Sequence, residues 1–274
     1  MGTFDLESTL THEIGHLLGL RHTSVIGAVM SEGLARNGAG GSAERQAMQL
    51  TDADTSAIRD LYDFEGRPEE CCSAISGRLI QAASKFAASV RVWAEDGKTG
   101  RVVAQTESGT DGSFRLGGLS AGSYSVFWQR VAGAETSPIG ELGTVRLAAG
   151  DEKVFSEKIN LRHSDLVLNY LGTNNQLSES AVSVGSLREF VVYLGGKDID
   201  VNKISVEFNS PYFRAVPGSI KAYDFNEGLS AISFVLAVDG DVQPGVYSVY
   251  VTGEDGILGA LVGGLKVRPR TIIQ

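Results

Sequence analysis

His12-Glu13-Ile14-Gly15-His16-Leu17-Leu18-Gly19-Leu20-Arg21-His22 decides how the first segment of this chain is read. His12 and His16 are four residues apart, so on a helix both imidazoles leave the same face, one turn apart, and can ligate one metal ion. Gly19 lets the backbone leave the helix sharply, which brings His22 back as a third nitrogen. Three neutral ligands leave one coordination position for water, whose pKa a zinc ion lowers to about 7. Glu13, beside the first ligand, is placed to accept that water's proton and pass it to a leaving amine. Together these parts describe zinc-assisted hydrolysis of a peptide bond. The five-residue core alone recurs in unrelated proteins, but here Gly19 and His22 extend it, and three of the four histidines of the chain fall in this run.

Outward from this run, Leu6, Leu10, Ile14, Leu17 and Leu18 recur at helical spacing, which predicts a helix over residues 5–18 with one apolar face. Asp5 can cap its start and Gly19 suits a left-handed exit. Residues 23–50 carry no long periodic pattern, and Asn37 to Ser42 reads as a flexible loop. A second helix follows, with Thr51 and Asp54 spaced as a capping box ahead of Ala57, Ile58, Leu61 and Tyr62. Asp52 and Asp54 could also bind calcium, although their place at a helix start favours capping. The segment ends near Gly66-Arg67-Pro68.

His-Glu-x-x-His-x-x-Gly-x-x-His followed by a methionine turn resembles the metzincin clan of metalloendopeptidases. Thr11 to His22 leading through Ile26-Gly27-Ala28-Val29-Met30, with Met30 eight residues after His22, is similar to the matrixin branch, and Leu50 to Tyr62 resembles that family's closing helix. The resemblance implies that His12, His16 and His22 are zinc ligands, that Glu13 is the general base, and that Met30 floors the site without coordinating. It covers roughly residues 4–65, the C-terminal part of such a catalytic domain, and implies that a twisted sheet, another helix and a substrate-aligning edge strand belong upstream. Without that sheet the active-site helix is expected to expose its apolar face. Ser31 and Glu32 stand where animal matrixins commonly carry Pro-Tyr.

From about residue 75 the period changes to two: Val90, Val92 and Ala94, then Phe114 and Leu116, then Tyr124, Val126 and Trp128. Asp96-Gly97, Asp111-Gly112 and Ala121-Gly122 supply turns, which predicts a small antiparallel sandwich ending near Leu161. Residues 164–268 repeat the style through Phe190 to Leu194, Ile204 to Phe208 and Ile232 to Val238. They close with a hairpin of Val246 to Val251 and Leu261 to Val267. Ile75 to Leu79, Ala88 to Val92, Thr110 to Leu116 and Leu119 to Val126 resemble carboxypeptidase regulatory-like, transthyretin-like sandwiches. Asp241 to Val249 and Gly263 to Val267 are similar to immunoglobulin-like accessory domains.

The expected architecture is therefore multidomain: the α-helical C-terminal part of a metzincin catalytic domain (1–66), then two all-β sandwich domains (75–161 and 164–268). Trp93, Trp128, Phe114, Phe127 and Tyr124 could line a carbohydrate or peptide groove, though aromatics at strand spacing more often form core. His163, alone near the junction, reads as a solvated residue.

The chain has 274 residues, a formal net charge of -9 and 34 glycines. That acidity argues against a nucleic-acid partner, and no stretch is long and apolar enough to span a membrane. Adjacent Cys71 and Cys72 are expected to be free thiols or to pair with cysteines outside the chain. The expected function is a zinc-dependent metalloendopeptidase acting on protein or peptide substrates, secreted or extracellular. Its β domains would meet a surface or carbohydrate ligand. The alternative is a non-catalytic extracellular adhesion or binding protein carrying a truncated protease remnant.

Overall fold

The computed structural model describes residues 6–33, 49–62, 71–81, 85–132, 135–225, 228–254 and 256–268. The cap expected at Asp5, the loop at Asn37 to Ser42 and the boundary at Gly66 to Pro68 lie outside these residues. An N-terminal two-helix segment, α1 (Leu6–Leu17) and α2 (Asp52–Leu61), is followed by β-sheets in two sandwich-like units.

The helix ends follow local chemistry. α1 stops where Gly19 adopts φ +90°. Gly19 N–H donates to His16 O and Leu20 N–H to Gly15 O, the paired bonds of a glycine-terminated helix. At α2 the expected capping box is present: Asp54 N–H donates to Thr51 Oγ1, and the Asp54 carboxylate accepts from the Thr51 backbone.

The first β unit comprises β1 (Ser73–Ile80), β2 (Val90–Asp96), β3 (Val102–Glu107), β4 (Ser113–Leu119), β5 (Gly122–Ala132), β6 (Glu135–Thr136), β7 (Gly140–Leu147) and β8 (Glu152–Lys158). One sheet runs β4-β1-β8; the other runs β3-β2-β5, with β6 and β7 also paired to β5. The alternating residues read from sequence face each other across this unit: Val90, Val92, Ala94, Phe114, Leu116, Tyr124, Val126 and Trp128 are all buried in one core. The sandwich is not wholly antiparallel, because β8 lies parallel to β1.

The second unit comprises β9 (Val167–Thr173), β10 (Val182–Val184), β11 (Arg188–Lys197), β12 (Ser205–Glu207), β13 (Phe213–Ala215), β14 (Lys221–Tyr223), β15 (Ser230–Val238), β16 (Gly245–Gly253) and β17 (Gly256–Val267). Its sheets run β10-β17-β16-β12 and β13-β15-β11-β9, with β14 on β15. The expected final hairpin is the antiparallel pair β16 and β17. Phe213, Phe234, Tyr247 and the aliphatic residues around them form its core.

Two further expectations change. Cys71 and Cys72 are bonded to each other, with Cα atoms 3.2 Å apart, rather than being free thiols or awaiting outside partners. The units also do not merely follow one another. Val25 and Ala28 of the first segment, Trp93, Val102 and Phe127 of the first β unit, and Val246, Tyr250 and Val262 of the second share one buried cluster. Burial of large aromatic and branched side chains against each other joins the three parts. Trp93 and Phe127 stack at 5.6 Å within it, so these aromatics form core, not groove.

Candidate metal centre

α1 presents its buried side as Ser8, His12 and Gly15. The leucine stripe expected to be its apolar face points outward, with Leu6 80%, Leu10 56%, Ile14 45% and Leu17 85% exposed. Helical periodicity marked that stripe correctly, and the structure shows that its burial is not supplied by the described residues.

The three histidines of the motif converge. Nε2 of His16 lies 3.1 Å from Nε2 of His12 and 3.1 Å from that of His22, and the remaining separation, His12 to His22, is 3.2 Å. Tetrahedral ligands held about 2.0–2.1 Å from an ion sit about 3.3 Å apart, so these nitrogens match one ion. Among the described residues they form the group able to hold a metal.

Tautomers follow from the partners on the other ring nitrogen. His12 Nδ1 lies 2.8 Å from the Val29 carbonyl and His16 Nδ1 lies 2.9 Å from the Leu20 carbonyl. A carbonyl only accepts, so each Nδ1 carries the hydrogen and each Nε2 turns its lone pair to the centre. The inward lone pairs of His12 and His16, with the Nε2 of His22 beside them, make a donor set that suits a divalent metal ion. Glu13 follows His12 on α1 with an exposed side chain.

Met30 is 2% exposed and packs with Leu20 and Val29 against Ala57 and Ile58 of α2. The segment between His22 and Met30 folds back on itself, since Thr23 N–H donates to Met30 O at 2.8 Å. Asp54, 2% exposed, does more than cap α2. Its two oxygens accept from the amides of Val29 and Met30, each at 3.1 Å, and from Thr51 Oγ1 at 2.7 Å. That hydrogen-bonding pattern fills the carboxylate with donors, and supports the capping reading of Asp54 rather than a calcium site. Asp52 instead pairs with Arg101 at 3.2 Å, and burial raises its pKa against the opposing pull of Arg101.

Several contributors escaped sequence reasoning. Gln105 on β3 accepts from Thr23 Oγ1 at 2.6 Å and from Ser24 N–H at 3.1 Å. Lys266 on β17 donates to Gly27 O at 3.2 Å, and burial pushes its ammonium down to about 8. A cavity of about 450 Å³ opens beside His22, with Arg21, Glu32, Arg91, Gln105 and Glu107 on its walls. Burial lowers the pKa of Arg91 in that wall, against the raising influence of Glu32 and Glu107.

Three solved structures show distant likenesses to the chain. The dioxygenase domain of a dioxygenase carbohydrate-binding protein fusion from Streptomyces sp. SirexAA-E is 16% identical, over 36% of this chain and 86% of that one, with a TM-score of 0.27. BcpA, the major pilin subunit of Bacillus cereus, is 9% identical over 69% of this chain and 67% of that one, with a TM-score of 0.27. The fimbrial anchor protein Mfa2 from Porphyromonas gingivalis is 12% identical over 70% and 83%, with a TM-score of 0.19. With TM-scores this low, none of these likenesses carries an argument. No curated protein matches the chain. No helix among the described residues is long and apolar enough to cross a membrane. The matrixin family model matches residues 1–63, the segment that holds the three converging histidines, Glu13 and Met30.

Proposed function

We propose that this chain carries a zinc-dependent centre for hydrolysing peptide bonds, in which His12, His16 and His22 hold the ion, Glu13 is the general base and Met30 floors the site. The observation that carries this reading is the convergence of three Nε2 atoms at 3.1–3.2 Å, with His12 and His16 each held in the ligating tautomer by a backbone carbonyl. A zinc ion held there would supply a water that is nucleophilic at neutral pH and would polarise the scissile carbonyl. Glu13 takes the proton from the attacking water and returns it to the departing amine nitrogen. The domain limits that go with this reading are 1–66 for the matrixin-like part, 75–161 for a carboxypeptidase regulatory-like sandwich and 164–268 for an immunoglobulin-like one. The setting is secreted or extracellular, with protein or peptide as substrate and a surface or carbohydrate ligand for the β units.

A second reading, from a different class, has its own support. The β units make up most of the described chain, and α1 leaves Leu6, Leu10 and Leu17 exposed on the helix that carries His12, Glu13 and His16. Both features suit a non-catalytic extracellular adhesion or binding protein that keeps the metal centre without turning over peptides. Zinc stoichiometry on the full chain, measured with hydrolysis of a generic protein substrate with and without chelator, separates the readings. One zinc per chain with chelator-sensitive cleavage supports the peptidase. Zinc without cleavage supports the binding protein, and no zinc uptake sinks the metal assignment altogether.

A further inference from the structure

The loop from Thr23 to Val29 joins the third histidine to the methionine floor, and it is held from both sides by the β units. From the first unit, the Oε1 atom of Gln105 accepts from Thr23 Oγ1 and Ser24 N–H. Gln105 Nε2 donates to the Thr106 carbonyl at 2.7 Å, which fixes the amide with its oxygen towards the loop. From the second unit, Val262 O accepts from Ile26 N–H at 2.9 Å and Lys266 Nζ donates to Gly27 O. Val25 between these contacts is fully buried against both units.

The fit there has no slack. A Cβ on Gly27 would stand 2.6 Å from Val246 Cγ1, and one on Gly263, at φ +69°, would stand 2.6 Å from Val25 Cγ1. The same loop ends at Val29, whose carbonyl orients His12, and begins next to His22. Whatever fixes the loop therefore fixes two of the three nitrogens.

We propose that the two β units are structural parts of the metal centre, with Gln105 and Lys266 as positioning residues that hold the 23–29 loop and through it aim His22 and His12. This rests on the reading of the three histidines as zinc ligands. Neither residue touches the ion; both act as outer supports of the kind whose loss weakens a metal site while leaving its ligands in place. The β units then have a task beyond tethering, because removing their hold loosens the ligand geometry.

The test uses the full chain and the variants Gln105→Leu, Gln105→Glu and Lys266→Met. Zinc affinity is read by chelator competition, the visible spectrum of the cobalt-substituted chain reports ligand geometry, and thermal unfolding of the metal-free chain reports stability. Gln105→Leu and Lys266→Met are each expected to weaken zinc by about 10- to 100-fold and to alter the cobalt spectrum. Gln105→Glu, which still offers an oxygen to Thr23 and Ser24, recovers most of the loss. Wild-type affinity and spectrum in both Gln105→Leu and Lys266→Met would overturn the proposal, even if their unfolding temperatures fall. If the unsubstituted chain takes up no zinc, the metal reading fails separately, and the positioning claim is judged by histidine ring resonances of the metal-free chain. Shifts of the His12 and His22 signals in the two variants sustain it, and unchanged signals overturn it.

Discussion

Gly15 and Met30 stand close against each other: a Cβ built on Gly15 would lie 2.3 Å from Met30 Sδ and 3.1 Å from its Cε, so a side chain there requires the end of the methionine to shift. The glycine inside the histidine motif thus leaves room for the methionine sulfur. Gly15→Ala is expected to destabilise the chain by about 1–3 kcal/mol, the usual cost of overpacking, moderated by the flexible methionine. Urea unfolding of Gly15→Ala, Met30→Ala and the double variant checks it. Strong coupling between the two is the expected result, and additive effects would mean that the contact is not the cause.

Asp54 links the start of α2 to the backbone of Val29 and Met30. Its removal strands two buried amides and the Thr51 donors. Asp54→Ala should therefore cost about 2–4 kcal/mol in chemical unfolding, more than loss of a simple helix cap. Because Val29 O orients His12, zinc affinity should fall as well. A loss of under about 1 kcal/mol, the typical cost of losing a cap, would reduce Asp54 to an ordinary N-terminal residue.

Glu95 is fully buried where the two β units meet, accepting from Ser248 Oγ at 2.5 Å, Tyr250 OH at 2.6 Å, Trp93 Nε1 at 3.3 Å and Asn209 Nδ2 at 2.9 Å. Burial raises its pKa above the ordinary 4.5 despite these donors. The folded chain then holds the proton more tightly than the unfolded chain, so this group's contribution is full below about 4.5 and declines as pH rises through the raised folded value. Glu95→Gln keeps an acceptor for three of the donors and has no charge to desolvate. Its stability relative to wild type should therefore grow as pH climbs above that range. A difference that stays constant from acid to neutral pH would show that Glu95 does not titrate in this window.

At the metal centre, His16→Ala should abolish tight zinc binding, whereas Glu13→Ala should keep the ion and lose hydrolysis wherever the chain cleaves peptides. Equilibrium dialysis against zinc and a peptide-cleavage assay on both variants give the answer. Undiminished zinc affinity in His16→Ala removes that ligand, and retained turnover in Glu13→Ala removes the base.

The outward stripe of α1 gives a prediction of the opposite kind. Leu10 and Leu17 are 56% and 85% exposed, so Leu10→Gln and Leu17→Gln should change stability by no more than about 0.5 kcal/mol. Losses of about 2 kcal/mol in a urea titration would mean that these side chains are covered in solution.

Much of this was legible in the residues alone, because the signals are local. The motif from His12 to His22, the glycine exit at Gly19, the capping box of Thr51 and Asp54, and the alternating strands around Val92, Phe114, Val126, Phe234 and Val249 depend on neighbours within a few positions. Their backbone geometry follows from helical or strand periodicity. The spacing marks the leucine stripe as the apolar face of α1, and its exposure was expected only from the family resemblance, because periodicity by itself points an apolar stripe inward. Only the packed chain turns Ser8, His12 and Gly15 inward and leaves the leucines out. Nor could the spacing show that Gln105, Lys266 and Glu95, polar residues of types usually found at the surface, meet Thr23, Gly27 and Tyr250 from 82, 239 and 155 positions away. Such pairings carry no periodic signature. They exist because burying Val25, Trp93 and Tyr250 in one shared core brings those backbones together, and buried polar groups must then find partners.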